Sequence, residues 1–262
     1  MRALERMGRT FRLLSTLPAA WYADASIKAS VLPMAQLDHS LVSGLPLFAG
    51  LQTADLDDIL REAHPLHRPK NTVVFEQGEH AHSFFVLLHG HVRAAKVTPS
   101  GHQVVVRYVT PGETFGVAAA LGLSTYPATA TAVDDSLVLT WPSAAWPRLV
   151  AKYPVLAEKT LQTVGERLQE SHTRIIDMST EQVERRVARA LLRLVRQAGR
   201  KTEKGIEIDF PISRQDIAEM TGTTLHSVSR ILSAWEGQGV VEGGRQRILV
   251  CDPHRLAQIG DE

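Results

Sequence analysis

Residues 212–241, ISRQDIAEMTGTTLHSVSRILSAWEGQGVV, sort their polar and apolar positions onto two faces, which leaves few ways for the segment to fold. Val228, Ile231, Leu232 and Trp235 recur at i, i+3, i+4 and i+7, the stripe of a helix whose apolar side must be buried. The helix begins after Gly222, where Thr223 or Thr224 caps the first free N–H groups. His226, Ser229 and Arg230 fall at i, i+3 and i+4 on the opposite face, so three side chains able to reach base edges leave the first two turns together. Ahead of them Ser213 and Asp216 read as a Ser-x-x-Asp cap. Ile217, Ala218 and Met220 supply a packing stripe, and Gly222 makes the turn between two helices. An ordinary amphipathic hairpin would explain the stripe but not the polar trio.

From Ile212 to Val250 the sequence resembles the winged helix-turn-helix of the CRP/FNR superfamily of bacterial transcription regulators. Val240 and Val241, a Gly243-Gly244 turn with Arg245 and Arg247, and residues 248–250 read as strand, tip and strand of the wing. The resemblance implies that Arg230 contacts guanine, whose O6 and N7 suit a planar guanidinium fork. It also implies that Ser213, Arg214 and Gln215 hold the phosphate backbone, and Thr224 and Arg245 are counted with them. FNR-like members carry Glu-x-x-Ser-Arg, whereas this chain has His226-Ser227-Val228-Ser229-Arg230. A histidine cannot reproduce a carboxylate's contact with cytosine N4, so the outer base of the half-site is expected to differ.

At 262 residues the chain has room for about two domains. Its 44% hydrophobic and 22% charged content is that of an ordinary soluble protein, and a net charge of +1 gives no global pull toward nucleic acid. Affinity must come from local placement. Arg185, Arg186, Arg189, Arg193, Arg196, Arg200, Lys201 and Lys204 form a basic run, read mainly as a solvated helix face, with phosphate contact by several of them as the alternative. The only cysteine, Cys251, rules out an iron–sulfur cluster within one chain and fits a reducing, cytoplasmic location. Arg2, Arg6 and Arg9 before a short apolar stretch look superficially like a signal peptide. Arg12 and Pro18 interrupt that stretch, so residues 1–40 are read as a flexible extension or an overlong start, with initiation at Met34 as the alternative. No membrane segment is expected.

Over residues 41–150, short runs at 72–75, 84–88, 104–109 and 137–141 alternate with turn signals, and Gly78, Gly90, Gly101 and Gly112 recur every eleven or twelve residues. The pattern predicts a β-roll and resembles the cyclic-nucleotide-binding domain of the same superfamily. In cyclic-AMP-binding members a Glu after the position of Gly116 binds ribose and an Arg-Ser pair neutralises the phosphate. Here Val117, Tyr126 and Pro127 stand at those places, so cyclic AMP is not expected, and the apolar stretch GVAAAL after Phe115 suits a greasy cavity.

Over residues 151–179, Leu161, Val164, Leu168, Ser171, Ile175 and Met178 alternate by three and four residues, a heptad seam read as the interface of a homodimer. Packing on the chain's own roll could use the same stripe. Ser171 and His172 match the positions where the cyclic-AMP-binding relatives place a Thr-Ser pair against adenine. Ser179 with Gln182, or Thr180, looks like a helix restart and hence a hinge. Val183, Val187, Ala190, Leu191 and Leu194 form the next apolar face, opening the DNA-binding domain of residues 180–262.

The fold expected is therefore α+β: a β-roll sensor, a long dimerisation helix and a C-terminal winged helix-turn-helix. No nucleophile–base pair or carboxylate dyad argues for an enzyme. The missing cysteines, the missing Arg-Ser pair and the His226-x-x-Ser229-Arg230 trio are similar to the nitric-oxide-responsive NnrR/Dnr branch. That branch implies activation of denitrification genes through RNA polymerase on palindromic DNA, with haem as the NO receptor. Among His64, His67, His80, His82, His89, His91, His102 and His172, the last is the candidate ligand, since its helix should face the effector cavity. Two alternatives stay open: a ligand-independent regulator controlled by its own expression level, and a cupin-like metalloenzyme. The latter is suggested by two His-x-His pairs, neither followed by the Glu such a site needs.

Overall fold

The structure, a computed structural model, describes residues 42–261. The extension expected over residues 1–40, and with it the alternative start at Met34, lies outside the described residues. Helix α1 (Thr53–Leu60) precedes eight strands: β1 (His64–Arg68), β2 (Val73–Phe75), β3 (Ser83–His89), β4 (Val92–Val97), β5 (Gln103–Val109), β6 (Thr114–Phe115), β7 (Thr129–Ala132) and β8 (Ser136–Pro142). They form two antiparallel sheets, β1-β8-β3-β6 and β2-β7-β4-β5, facing each other as a roll. The four expected runs are β2, β3, β5 and β8. Strands β1, β4, β6 and β7 escaped detection because HPLHR, VRAAKV, TF and TATA are short or hold few large apolar side chains, with alanine, a weak strand former, at the inward positions of β7.

Gly78, Gly90, Gly101 and Gly112 all take positive φ, at 85°, 80°, 81° and 92°, which explains their regular recurrence. At Gly90 a Cβ would also lie 2.6 Å from the Asp135 carbonyl and 2.8 Å from Asp134 Oδ1. Between the sheets Phe75 stacks on Tyr126 with centroids 3.9 Å apart, and on Phe85 at 5.4 Å, with Phe115 completing the cluster. The interior behind Gly116 is thus filled by aromatic rings, and the greasy cavity expected there is packed core. A second core joins Phe84 and Trp141, stacked at 5.3 Å, to α1.

Helix α2 (Trp146–Lys152) leads into the long helix α3 (Pro154–Thr180), and α4 (Val183–Ala198) follows after an extended step at Glu181 and Gln182. The hinge differs in detail from expectation. The Ser179 and Thr180 hydroxyls donate back to the carbonyls of Ile175 and Ile176 at 2.9 and 2.8 Å, so neither caps a new helix. Along α3, Leu161 and Ile175 are 72% and 61% exposed, Leu168, Ser171 and Met178 are exposed and Val164 is half-buried. The chain's own roll therefore does not cover this stripe. The roll is held by another face of α3, where Arg174 Nη1 donates to the Val106 carbonyl at 2.6 Å and Arg167 to that of Thr114.

The C-terminal domain closes around Val187, Leu191, Leu194, Ile217, Val228, Leu232, Trp235 and Ile248. Its sheet runs β11-β12-β10-β9, from β9 (Gly199–Thr202), β10 (Gly205–Ile208), β11 (Val241–Gly244) and β12 (Arg247–Val250). Helix α7 (Pro253–Asp261) packs on α4, where Arg189 Nε donates to the Gly260 carbonyl at 2.7 Å. The β9–β10 hairpin was not anticipated, and it corrects the basic run: α4 ends at Ala198, so Arg200, Lys201 and Lys204 sit on a hairpin, not a helix face. Among the described residues no helix is long and apolar enough to cross a membrane.

Replacing Gly90 with Ala combines a left-handed φ with a backbone collision and should cost more than about 1 kcal/mol. Urea unfolding of the two proteins measures this, and an unchanged midpoint would show that the turn accepts a side chain.

Candidate nucleic-acid interface

Two short helices build the candidate interface, α5 (Arg214–Thr221) and α6 (Leu225–Gly237). Ser213 caps α5 in a reciprocal box: its Oγ accepts from Asp216 N at 3.1 Å, while Asp216 Oδ2 accepts from Ser213 N at 2.8 Å. Gly222 ends α5 at φ 62°, ψ 41°, the left-handed cap that lets the chain turn at once into α6. Thr224, not Thr223, caps α6, its Oγ1 accepting from Ser227 N at 3.1 Å. Val228, Ile231, Leu232 and Trp235 are buried, and the Trp235 indole donates to Glu184 Oε1 at 3.0 Å, fastening α6 to α4.

With that stripe buried, the opposite face is presented. His226 and Arg230 are exposed and Ser229 is half-exposed. Arg230 forms no ion pair among the described residues, so its guanidinium is available to a base edge. An open cleft of about 450 Å³, lined in part by Gln182, Ser227 and Arg230, separates α6 from the hinge. Leu225 was missed by sequence reasoning. It is 47% exposed at the first turn of α6 beside His226, where a branched apolar side chain suits a thymine methyl. Its place outside the buried stripe was the available signal.

The backbone candidates divide. Gln215 is exposed, with Nε2 donating to Glu219 Oε1 at 2.9 Å, while Arg245 is exposed and pairs with no carboxylate among the described residues. Arg214 is half-buried, with Nη2 2.7 Å from Glu236 Oε1 and Nη1 near Ser233, so part of its fork is committed to α6 before any phosphate arrives. Ser213 spends its hydroxyl on the Asp216 carboxylate at 2.6 Å, and only part of the residue remains accessible. The wing tip is corrected too: Gly243 and Gly244 lie in β11, and the two-residue turn is Arg245 and Gln246, the latter at φ 57°. A Cβ at Gly243 would press on the Glu236 carboxylate that pairs with Arg214, so a side chain there would have to displace that carboxylate.

Most of the basic run is paired with carboxylates of the hinge, the hairpin, strand β11 and the end of α3. Arg189 and Arg193 both reach the buried Asp177 carboxylate of α3, Arg185 lies 2.9 Å from Glu181, and Arg200 bridges Glu207 and Asp209. These arginines brace the hinge and hairpin. The C-terminal domain also touches the roll directly. Arg93 Nη1 of β4 meets Asp216 Oδ1 at 2.6 Å, Gln103 Nε2 meets Glu219 at 3.0 Å, and Tyr108 packs on Phe210 at 4.4 Å between centroids. Burial, then the Asp216 charge, drives the Tyr108 hydroxyl well above the usual phenol range, so it stays protonated.

The histidines form no metal site: among the described residues no group of three or more His, Cys, Asp and Glu could hold an ion. His91 Nδ1 instead pairs with Asp134 Oδ2 at 2.8 Å and His82 Nδ1 with the His80 carbonyl at 2.8 Å. His172 does not face the roll as expected. It is exposed, and at roughly 100° per residue it lies about 200° around α3 from Arg174, which does touch the roll. With the roll interior occupied by Phe75, Phe85, Phe115 and Tyr126, that interior does not fit a haem. Tyr126, at the position of the phosphate-binding Arg in cyclic-AMP-binding members, is buried and donates to the Ser83 carbonyl at 2.6 Å, and Val117 is buried in apolar core. Burial raises the Cys251 thiol, which keeps it protonated and unreactive.

Residues 65–153 match the cyclic nucleotide-binding domain and residues 185–259 the Crp-like helix-turn-helix domain. The cyclic AMP receptor protein of Thermus thermophilus is 29% identical over 83% of this chain and 98% of its own length. The transcriptional activator protein FnrA of Stutzerimonas stutzeri is 25% identical over 87% of this chain and 93% of its own. Among solved structures, FixK2 from Bradyrhizobium japonicum covers 75% of this chain and 96% of its own, with a TM-score of 0.66 at 23% identity.

Arg230→Ala should lose about 1–3 kcal/mol per half-site on a cognate operator and with it most discrimination against random DNA. Arg214→Ala should weaken all sequences about equally and shallow the salt dependence, since phosphates carry no sequence. His226→Glu should change preference at the outer base only. Operator variants titrated against the three proteins check this, and wild-type selectivity in Arg230→Ala would refute the assignment of α6.

Proposed function

Since the chain belongs to the CRP/FNR superfamily and is a DNA-binding transcription regulator, not an enzyme, we propose that it acts as a homodimer on a palindromic operator. The observation that carries this is the capped α6, with its apolar face buried and Arg230, His226 and Ser229 left toward solvent. A palindrome needs two such helices roughly 34 Å apart. The seam of Leu161, Leu168, Ile175 and Met178, uncovered in the single chain, supplies the apolar surface for pairing α3 with α3 of a second copy. Half-sites with a TTG-like element fit an Arg-read guanine beside the exposed Leu225.

The finer reading is an activator of denitrification genes that works through RNA polymerase and responds to nitric oxide, in a cytoplasmic setting. It is supported by the single cysteine, by Tyr126 and Pro127 in place of an Arg-Ser pair and by the His226-x-x-Ser229-Arg230 trio. The ring-filled interior does not fit a haem, so this reading assigns no receptor group inside the roll. A ring-filled interior also supports a regulator that needs no cyclic nucleotide. Operator binding with and without NO tests the response, and affinity unchanged by NO, haem and cyclic AMP would favour control by expression level alone.

Leu168→Glu should place two carboxylates in the seam and split the dimer, because an unpaired buried charge costs several kcal/mol. Sedimentation at micromolar concentration and operator titration should report both losses together, and a variant that remains dimeric would show that α3 pairs through another face.

A further inference from the structure

Helix α5 meets strands β4 and β5 of the roll, and the contacts that hold it there differ in kind. Phe210, three residues before the Ser213 cap, packs on the His91 and Tyr108 rings, with centroids 4.8 and 4.4 Å away. Gln103 Nε2 donates to Glu219 Oε2 at 3.0 Å in a water-accessible position. Arg93 Nη1 donates to Asp216 Oδ1 at 2.6 Å, and Asp216 is buried. Asp216 and Glu219, three residues apart, lie on one face of α5.

Ring packing is non-directional, and an exposed amide–carboxylate bond exchanges readily with water, so neither fixes how α5 is turned against the sheet. The ion pair does. Among the described residues Arg93 is the one cation paired with Asp216, whose other oxygen is committed to the N–H and hydroxyl of Ser213. Without Arg93 a desolvated carboxylate would be left at the first turn of α5, which costs far more than losing an exposed pair.

This anchorage does not obstruct reading. While α5 is held on the roll, His226 and Arg230 of α6 stay exposed and Ser229 half-exposed. Arg214 Nη2, 2.7 Å from Glu236, ties α6 to α5, so whatever fixes α5 also fixes α6. The covalent link from α3 is the extended step at Glu181 and Gln182, where a domain can turn. Arg189 and Arg193 brace α4 on Asp177, but α5 and α6 lie beyond that brace.

We propose that Arg93 is a positioning residue for DNA reading: its ion pair with Asp216 fixes α5 and α6 relative to the roll and α3, so that a dimer presents two recognition helices at the one separation its palindrome demands. Arg93 touches no DNA in this role. The role rests on the homodimer and palindrome proposed above, and adds that the separation is set through the roll as well as through the hinge.

The test uses the full chain and three duplexes: a palindrome that the wild type selects from random-sequence DNA, the same palindrome with two base pairs inserted between its half-sites, and a single half-site. Wild type should bind the native palindrome at least about tenfold more tightly than either other duplex, since two linked contacts act together only where geometry admits both. Arg93→Met keeps an apolar stem and removes the guanidinium. It should remain dimeric in sedimentation and hold the single half-site within about twofold of wild type, while its preference for the native spacing falls at least about fivefold. Arg93→Lys, which still offers Asp216 a cation, should recover most of that preference. Asp216→Asn, which keeps an oxygen for the cap, should reproduce Arg93→Met, and it decides should Arg93→Met fail to fold. Wild-type spacing preference in Arg93→Met, or equal weakening on all three duplexes, would overturn the role of Arg93. Selection of no palindrome by the wild type would instead overturn the homodimer reading, and this role with it.

Discussion

Strand β5 is the edge of its sheet, and the rest of the molecule is organised around how that edge is closed. An uncovered edge exposes carbonyls and N–H groups that invite pairing with another chain. Here Arg174 of α3 donates to the Val105 and Val106 carbonyls and Gln197 of α4 to that of Tyr108, so two helices seal the edge with side chains. The same strand turns Val105 and Tyr108 into the core of the C-terminal domain, so one seven-residue strand joins roll, long helix and C-terminal domain. A displacement of β5 must be felt by all three.

Asp216 is the second joint. One carboxylate oxygen closes the capping box of α5, and the other meets Arg93 of the roll, with both side chains largely removed from water. A pair of this kind is held more firmly than exposed pairs such as Arg61 with Asp58, because breaking it leaves a desolvated charge behind. The orientation of α5, and hence of α6 packed upon it, therefore depends on a contact that crosses between domains.

Charge is distributed to the same end. The chain is nearly neutral, and many of its C-terminal arginines are consumed by Asp177, Glu181, Glu207 and Asp209 within the hinge and hairpin. Arg230 and Arg245, unpaired with any carboxylate among the described residues, lie on recognition helix and wing. Positive charge without a carboxylate partner is thus left on α6 and the wing tip, while many of the other C-terminal arginines stabilise the frame.

Sequence alone determined the elements whose rules are local. The 3.6-residue stripe of Val228, Ile231, Leu232 and Trp235, the Ser213–Asp216 cap and the left-handed Gly222 specify two helices and their turn. The glycines at 78, 90, 101 and 112 mark turns that L side chains resist. The tertiary structure decided what those elements face. Phe75, Phe85, Phe115 and Tyr126 converge from separate strands to fill the roll, and His172 falls on the side of α3 away from Arg174. Arg93 and Asp216, 123 positions apart, meet across the domain boundary. Periodicity within a segment reports which face is buried but not against what, because the partner is chosen by long-range strand pairing and by desolvated contacts between residues distant in the chain.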